Sequence, residues 1–321
     1  MRRALLLFVD GVGIGDNDPA VNPLVAAATP TLDALLGRKL AGFDAPFRHD
    51  GALAVPVDAT LGVLGLPQSA TGQTALLTGI NAAEVEGRHV TAYPTKALRA
   101  VLTDHNLFKQ VLSAGGTVAL ANTYTPHYFD AVTSRRLRHA AITFSALAAG
   151  VYLRGIDDLV AGRSIFHDLT NHRLRAWGYD VPERTPQESG RVLGGLSQGY
   201  HFTLFEFFLT DLAAHHRVPL PPAEVMAMLD GLIGGVLETA TLDDTLILMV
   251  SDHGNLEDVR AQAHTRNPVP AVLIGAGREE VGRRIRTLTD VAPAIVDWLS
   301  DGLRAPHSHS LPPAGGESHG T

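Results

Sequence analysis

The stretch "SDHGNLED", residues 251 to 258, closes the apolar run "TLILMV" with an Asp-His pair and a Gly. Asp252 and His253 are too polar to end a core strand idly, and a carboxylate beside an imidazole is suited to holding a ligand at the strand's carboxyl edge. Two further polar groups punctuate apolar segments: Asp10 after "ALLLFV", and Asp211 with His215, while His264 lies eleven residues beyond His253. Spaced four apart, Asp211 and His215 would share one face of a helix, with His216 as the substitute if the segment is a loop. A single Asp is ordinarily a cap or turn residue, and a single His is ordinarily a satisfied core or surface residue. The set is different: three Asp, three His and one hydroxyl match the roughly six or seven N and O ligands that a pair of divalent ions needs.

Ser69, in "PQSATGQTALLTG", supplies the hydroxyl. It stands just ahead of a predicted helix, whose free N–H groups would favour an alkoxide or an attached phosphoryl group. As a plain N-cap it would have no chemistry, but beside a metal its lowered pKa would make it a nucleophile without a general base. Thr71, two residues on, is the competing hydroxyl. No Gly-x-Ser-x-Gly elbow surrounds Ser69. Gly11, Gly13 and Gly15 depart from the dinucleotide spacing and read instead as a turn that lets backbone approach a ligand.

The elements that must position these groups alternate. Residues 4–9, 245–250 and 269–275 are short apolar runs of the kind expected for strands covered on both faces. Helices are expected over 28–36 with Thr29 or Thr31 as cap, after Ser69, within 138–150, over 221–240 and over 287–300 with Thr289 or Asp290 as cap, and a helix end followed by a strand over 113–120. This grammar predicts an α/β fold: an open, mostly parallel sheet with helices on both faces and sites at the carboxyl ends of strands. The interval 85–195 is richer in Arg, His, Tyr and Trp and is expected to be an inserted cap domain between core parts 1–84 and 196–302, with 303–321 a flexible tail.

The chain has 321 residues, 45% hydrophobic and 18% charged, enough for a large core. With 26 basic and 33 acidic residues its formal charge is -7, which argues against a nucleic-acid surface. It has no Cys, so a metal must be held by His and carboxylates. Asp10 cuts the N-terminal apolar run short of a signal peptide, and no run reaches the roughly 20 apolar residues of a membrane span. A cytoplasmic protein with no membrane partner is expected; the sequence leaves its oligomeric state open.

In order and type, Asp10, Ser69, Asp211 with His215, Asp252-His253-Gly254 and His264 resemble the alkaline phosphatase superfamily, in the branch that contains cofactor-independent phosphoglycerate mutase and phosphopentomutase. The resemblance covers roughly residues 4–80 and 200–300. It implies an alkaline-phosphatase-like fold in which Asp211, His215 and His264 bind one metal ion and Asp10, Ser69, Asp252 and His253 the other. It further implies manganese, with zinc as the alternative, and a phosphoserine at Ser69 formed from a small phosphorylated molecule by a phosphomutase or a phosphatase. A phosphodiesterase and a non-enzymatic phosphate-ligand binder are the competing readings. Gln73 departs from the histidine that the mutases commonly carry there, and the interval from Ser69 to Asp211 leaves room only for a small cap. Within that interval Arg88, Arg135, Arg136 and His127 are the candidate substrate contacts, since Arg pairs bidentately with phosphate oxygens.

Overall fold

Alternate residues of each apolar run enter opposite layers of core. In the computed structural model, which describes residues 1–304, strand β1 (Arg3–Val9) sends Ala4, Leu6 and Phe8 into one apolar cluster and Leu5, Leu7 and Val9 into another. A strand's side chains alternate in direction, so a continuous apolar run is what burial on both faces requires. The first cluster is completed by helices Ser69–Thr78, Lys96–His105, Leu107–Ser113, Ala141–Ala148 and Val291–Arg304. On the other face lie Pro30–Leu36, Pro186–Ser197 and Pro222–Thr239. The predicted tail lies outside the described residues from 305 onward, whereas 303 and 304 extend the last helix.

The other strands are β2 (Phe47–His49), β3 (Ala52–Val57), β4 (Val118–Leu120), β5 (Phe202–Phe207), β6 (Thr245–Val250) and β7 (Val269–Gly275), in the order β2-β3-β7-β6-β1-β5-β4. Strands β4, β5, β1 and β6 are mutually parallel; β7 runs antiparallel to both β6 and β3, and β2 antiparallel to β3. Five of the seven strands, β3 included, therefore point one way. Because β1, β5 and β6 are parallel neighbours, Asp10, Asp211 and Asp252, each one to four residues past a strand end, emerge at the same edge. The reversed β7 begins where β6 ends, which returns the segment carrying His264 to that edge.

The interval 85–195 contributes β4 and three helices to the first core layer, while Leu159, Phe166, Leu174 and Val181 form a separate small apolar cluster. Helix Pro30–Leu36 has Thr29 at its cap position, but Thr29 donates to Asp33; the open N–H groups of Thr31 and Leu32 are taken by Asp230 of the helix Pro222–Thr239. Among the described residues no helix is long and apolar enough to cross a membrane.

Candidate metal centre

Asp10 continues the β1–β5 ladder by one residue, its N–H donating to Phe207 O at 3.0 Å, and Thr210 grips its carbonyl. Ser251 fixes the next loop, accepting from Val12 N at 2.9 Å and donating to His253 O at 3.1 Å. The first turn of the helix Ser69–Thr78 lies directly on that loop at Gly72, where a Cβ would stand 2.7 Å from Asp252 O. This close approach brings Ser69 Oγ to 3.0 Å from His253 Nε2.

Two groups of donors result. In the first, His253 Nε2 is 3.2 Å from Asp10 Oδ1 and 3.7 Å from Asp252 Oδ2, with Ser69 Oγ beside it. In the second, Asp211 Oδ1 is 3.3 Å from His215 Nε2 and 3.8 Å from His264 Nε2, and the two imidazole nitrogens are 3.3 Å apart. The groups adjoin, since the rings of His253 and His264 stack with centroids 3.7 Å apart, and ligand atoms of Asp211, His253 and His264 fall within 4.8 Å of one another. Among the described residues His216 makes no side-chain hydrogen bond or ion pair with either group. It sits just past the helix end with φ 54, while His215 faces Asp211.

The donor chemistry fits a divalent cation. His264 Nδ1 lies 2.8 Å from Pro67 O and must donate to it, which leaves Nε2 with its lone pair facing Asp211 and His215. Asp10 Oδ1 and Asp252 Oδ2 are buried and accept no hydrogen bond among the described residues, although buried polar atoms are normally satisfied. No Lys or Arg of the described residues pairs with Asp10, Asp211 or Asp252; their ion-pair partners are histidines alone. Burial, followed by repulsion from Asp10, raises Asp211 and holds Asp252 well above the usual carboxylate range. Burial alone would lower His253, but Asp252, Asp10 and Asp211 together push it up to about 10. Burial and then the charge on His253 lower His264 to about 4. Crowded carboxylates without a cationic side chain are the electrostatic signature of a place for added positive charge.

The other expectations fare unevenly. Thr71 is buried and its hydroxyl is occupied, donating to Gln68 O at 3.1 Å and accepting from Val90 N at 3.3 Å, so Ser69 is the hydroxyl that faces the centre. The helix start is less open than expected, because Ala70 N donates to Val90 O and Gly72 N to Gln68 O. Gln73 donates to Asp10 Oδ2 at 3.4 Å. Arg88, Arg135, Arg136 and His127 are exposed and make no hydrogen bond or ion pair with the centre. Arg135 and Arg136 lie in a turn after helix Pro126–Thr133 rather than on a helix face, and His127 stacks on Trp177. Sequence reasoning missed Asn255, which donates to Asp211 Oδ1 at 2.9 Å, and Glu206, a buried carboxyl raised to about 8 by burial and by Asp10. Both stand near quoted motifs, but their direction is not encoded in any spacing.

Fold and site together define a metalloenzyme class, and the comparison with known families agrees. The chain matches the Metalloenzyme superfamily over residues 2–300 and belongs to it. Among curated relatives it is 29% identical over 130 residues to the 2,3-bisphosphoglycerate-independent phosphoglycerate mutase of Syntrophotalea carbinolica, which covers 38% of this chain and 25% of that protein. To the enzyme of the same name from Pyrococcus abyssi it is 23% identical over 299 residues, covering 83% of this chain and 69% of that one. The chain thus spans only about a quarter of the first of these relatives. Among solved structures, a Pyrococcus horikoshii protein superposes with a TM-score of 0.56 at 13% identity, covering 94% of this chain and 97% of the other. The alkaline phosphatase of the Antarctic bacterium TAB5 gives 0.50 at 12%, covering 93% and 98%. These likenesses establish an alkaline-phosphatase-like fold.

Proposed function

We propose that the protein is a phosphoryl-transfer enzyme that acts on a small phosphorylated metabolite through a phosphoserine at Ser69, with two divalent ions. Asp211, His215 and His264 would hold one ion, and Asp10, Ser69, Asp252 and His253 the other, manganese being preferred and zinc the alternative. The observation that carries this reading is the placement of Ser69 Oγ 3.0 Å from His253 Nε2, beside two buried carboxylate oxygens without partners. When bound, the ions supply charge stabilisation for the transferring phosphoryl group and lower the pKa of the serine hydroxyl. Ser69 Oγ gives up its proton to solvent and forms the new bond to phosphorus as the bond to the substrate's ester oxygen breaks; that oxygen takes up a proton from solvent and leaves as the alcohol, and the helix behind Ser69 offers its positive end to the phosphoserine. Retransfer to another hydroxyl of the same molecule would make the enzyme a mutase; transfer to water would make it a phosphatase.

The cover that separates these outcomes is proposed to be the segment 152–184. It joins the end of β4 through bridges of Arg154 to Thr123 and of Ile165 to Asn122. It places the ring of His167 4.6 Å from Phe208, three residues before Asp211. The test is Ser69→Ala beside Thr71→Val, with intact-protein mass spectrometry on a slow phosphate ester and manganese or zinc. One added phosphoryl group in wild type and in Thr71→Val, and none with loss of turnover in Ser69→Ala, is the expected pattern. Labelling that persists in Ser69→Ala would reject the serine. Phosphate migration without release identifies a mutase, release from monoesters a phosphatase, and preference for diesters overturns the metabolite reading.

A further inference from the structure

Glu257 lies inside the motif that holds Asp252 and His253, is only 1% exposed, and does not face the cation groups described above. Its Oε2 accepts the backbone N–H of Gly13 at 2.9 Å and of Asn255 at 2.7 Å. Its Oε1 accepts the hydroxyl of Thr265 and Asn267 Nδ2, the latter at 3.0 Å. An ionised carboxylate offers about four acceptor sites and no donor, and here four donors fill them. No Lys or Arg of the described residues pairs with it, so backbone and side-chain dipoles alone balance a buried charge. The chain is shaped to admit it: a Cβ on Gly13 or Gly254 would collide with the Glu257 carboxylate, and one on Gly15 would stand 2.8 Å from its Cγ. These glycines therefore make room for Glu257 rather than for a ligand.

The four bonds reach the segments that carry Asp10, Asp252 with His253, and His264. Gly13 is three residues past Asp10; Asn255 is two past His253; Thr265 and Asn267 follow His264. Asn255, held by its N–H, turns its side chain to Asp211 Oδ1 at 2.9 Å. Backbone bonds run in the same places, from Leu256 N to Gly11 O and from Thr265 N to Gly254 O, both 2.9 Å, but each ties only two segments. Among the described residues Glu257 alone ties three of them directly, and it reaches the Asp211 segment through Asn255.

We infer that Glu257 is the positioning residue of the metal centre: one buried carboxylate that locks the loops after β1 and β6 to the segment before β7, setting the distance between the two donor groups. The inference rests on the reading of the centre as a cation site. Replacement by Gln separates its two edges. One edge still accepts from the two backbone N–H groups; the other becomes a donor, which Thr265 and a rotated Asn267 amide can accept, so the fold survives while the hold on the His264 segment changes sign. Outer partners of metal ligands typically alter metal affinity by about 10–100-fold.

The experiment is calorimetric titration of manganese chloride into wild type, Glu257→Gln and Glu257→Ala. Visible spectra of the cobalt-loaded proteins and melting temperatures accompany it. Asp230→Ala serves as the comparator, because Asp230 is also a buried carboxylate on backbone N–H groups, but between two helices away from the centre. The expected result is a loss of affinity of about 10–100-fold in Glu257→Gln, an altered cobalt spectrum, and a melting temperature no lower than that of Asp230→Ala, which keeps wild-type affinity. Wild-type affinity and spectrum in Glu257→Gln would overturn the inference, even if Glu257→Ala fails to fold. A wild type that binds neither ion would overturn the cation reading itself, and this inference with it.

Discussion

Replacing Asp252 by Asn should move stability in opposite directions with and without metal. Asp252 is fully buried; Oδ1 has only a long contact of 3.5 Å to Gly11 N, and Oδ2 has no hydrogen-bond partner. Its one positive neighbour, His253 Nε2 at 3.7 Å, is shared with Asp10 at 3.2 Å. At an effective dielectric of about 20, one such pair is worth about 4 kcal/mol, which does not neutralise two carboxylates after several kcal/mol of desolvation each. Removing one charge while keeping the shape leaves His253 to Asp10 and should stabilise the metal-free protein by about 1–3 kcal/mol. For a chain this long, that raises Tm by about 2–6 °C. Metal at one hundred times its Kd should stabilise the wild type by about 2.7 kcal/mol, and a ligand loss that weakens binding a hundredfold reduces this to about 0.4 kcal/mol. The assay is differential scanning calorimetry after exhaustive chelation and again with manganese or zinc. A variant that melts lower than wild type without metal, yet gains as much from metal, refutes the electrostatic reasoning.

Glu206, raised to about 8 by burial and by Asp10, keeps its proton in the folded state over a range where the unfolded carboxyl has lost it. The metal-free protein should therefore lose stability as pH rises from about 4.5 to 8. Glu206→Gln should reduce that slope, to which Asp211, Asp252 and His253 also contribute, and chemical denaturation across the range that shows parallel curves for both proteins would reject the shift. Gly72→Ala drives a methyl to 2.7 Å from Asp252 O. A destabilisation of about 1–3 kcal/mol with weakened metal binding is expected, measured by urea unfolding and metal titration; unchanged metal affinity would show that the helix does not set Ser69 against the loop.

The legible parts of the fold were those whose residues bury both faces. Residues 4–9, 246–250 and 269–274 of strands β1, β6 and β7 are unbroken apolar runs, whereas β5 interrupts its run with Thr203 and Glu206 and carries no such signal. The hairpin of β2 and β3 carries an Asp50-Gly51 turn that could have been read, yet Pro56 lies in β3 and faces Pro270 of β7, and proline argues against an inner strand. Strand direction has no local signature, so the reversal of β7 came only from the structure. Asp10, Ser69, Asp211, His215, Asp252, His253 and His264 stand out in the sequence as an ordered set of N and O donors, and the fold brings these side chains close together. Arg88, Arg135, Arg136 and His127 are exposed and make no hydrogen bond with that set, since composition gives a segment's charge but not the direction it faces. Asn255 and Glu257 lie in the stretch 251–258, but their partners, Asp211 for the one and Gly13, Thr265 and Asn267 for the other, are set by the tertiary fold and leave no trace in local residue type.

The register of β1 also has a temporal consequence. Its first residue paired on both sides, Ala4, meets Phe202 on one side and Leu246 on the other, both about 200 residues or more later in the chain. At synthesis rates of about 5–20 residues per second, this buried central strand waits about 10–40 s before either neighbour exists. Long-range parallel pairing is slow to form and exposes strand edges meanwhile. Folding from the ribosome must therefore shelter the segment 3–9, and the two donor groups can come together only after residue 264 has emerged, so the centre assembles after β1, β5 and β6 have all been made.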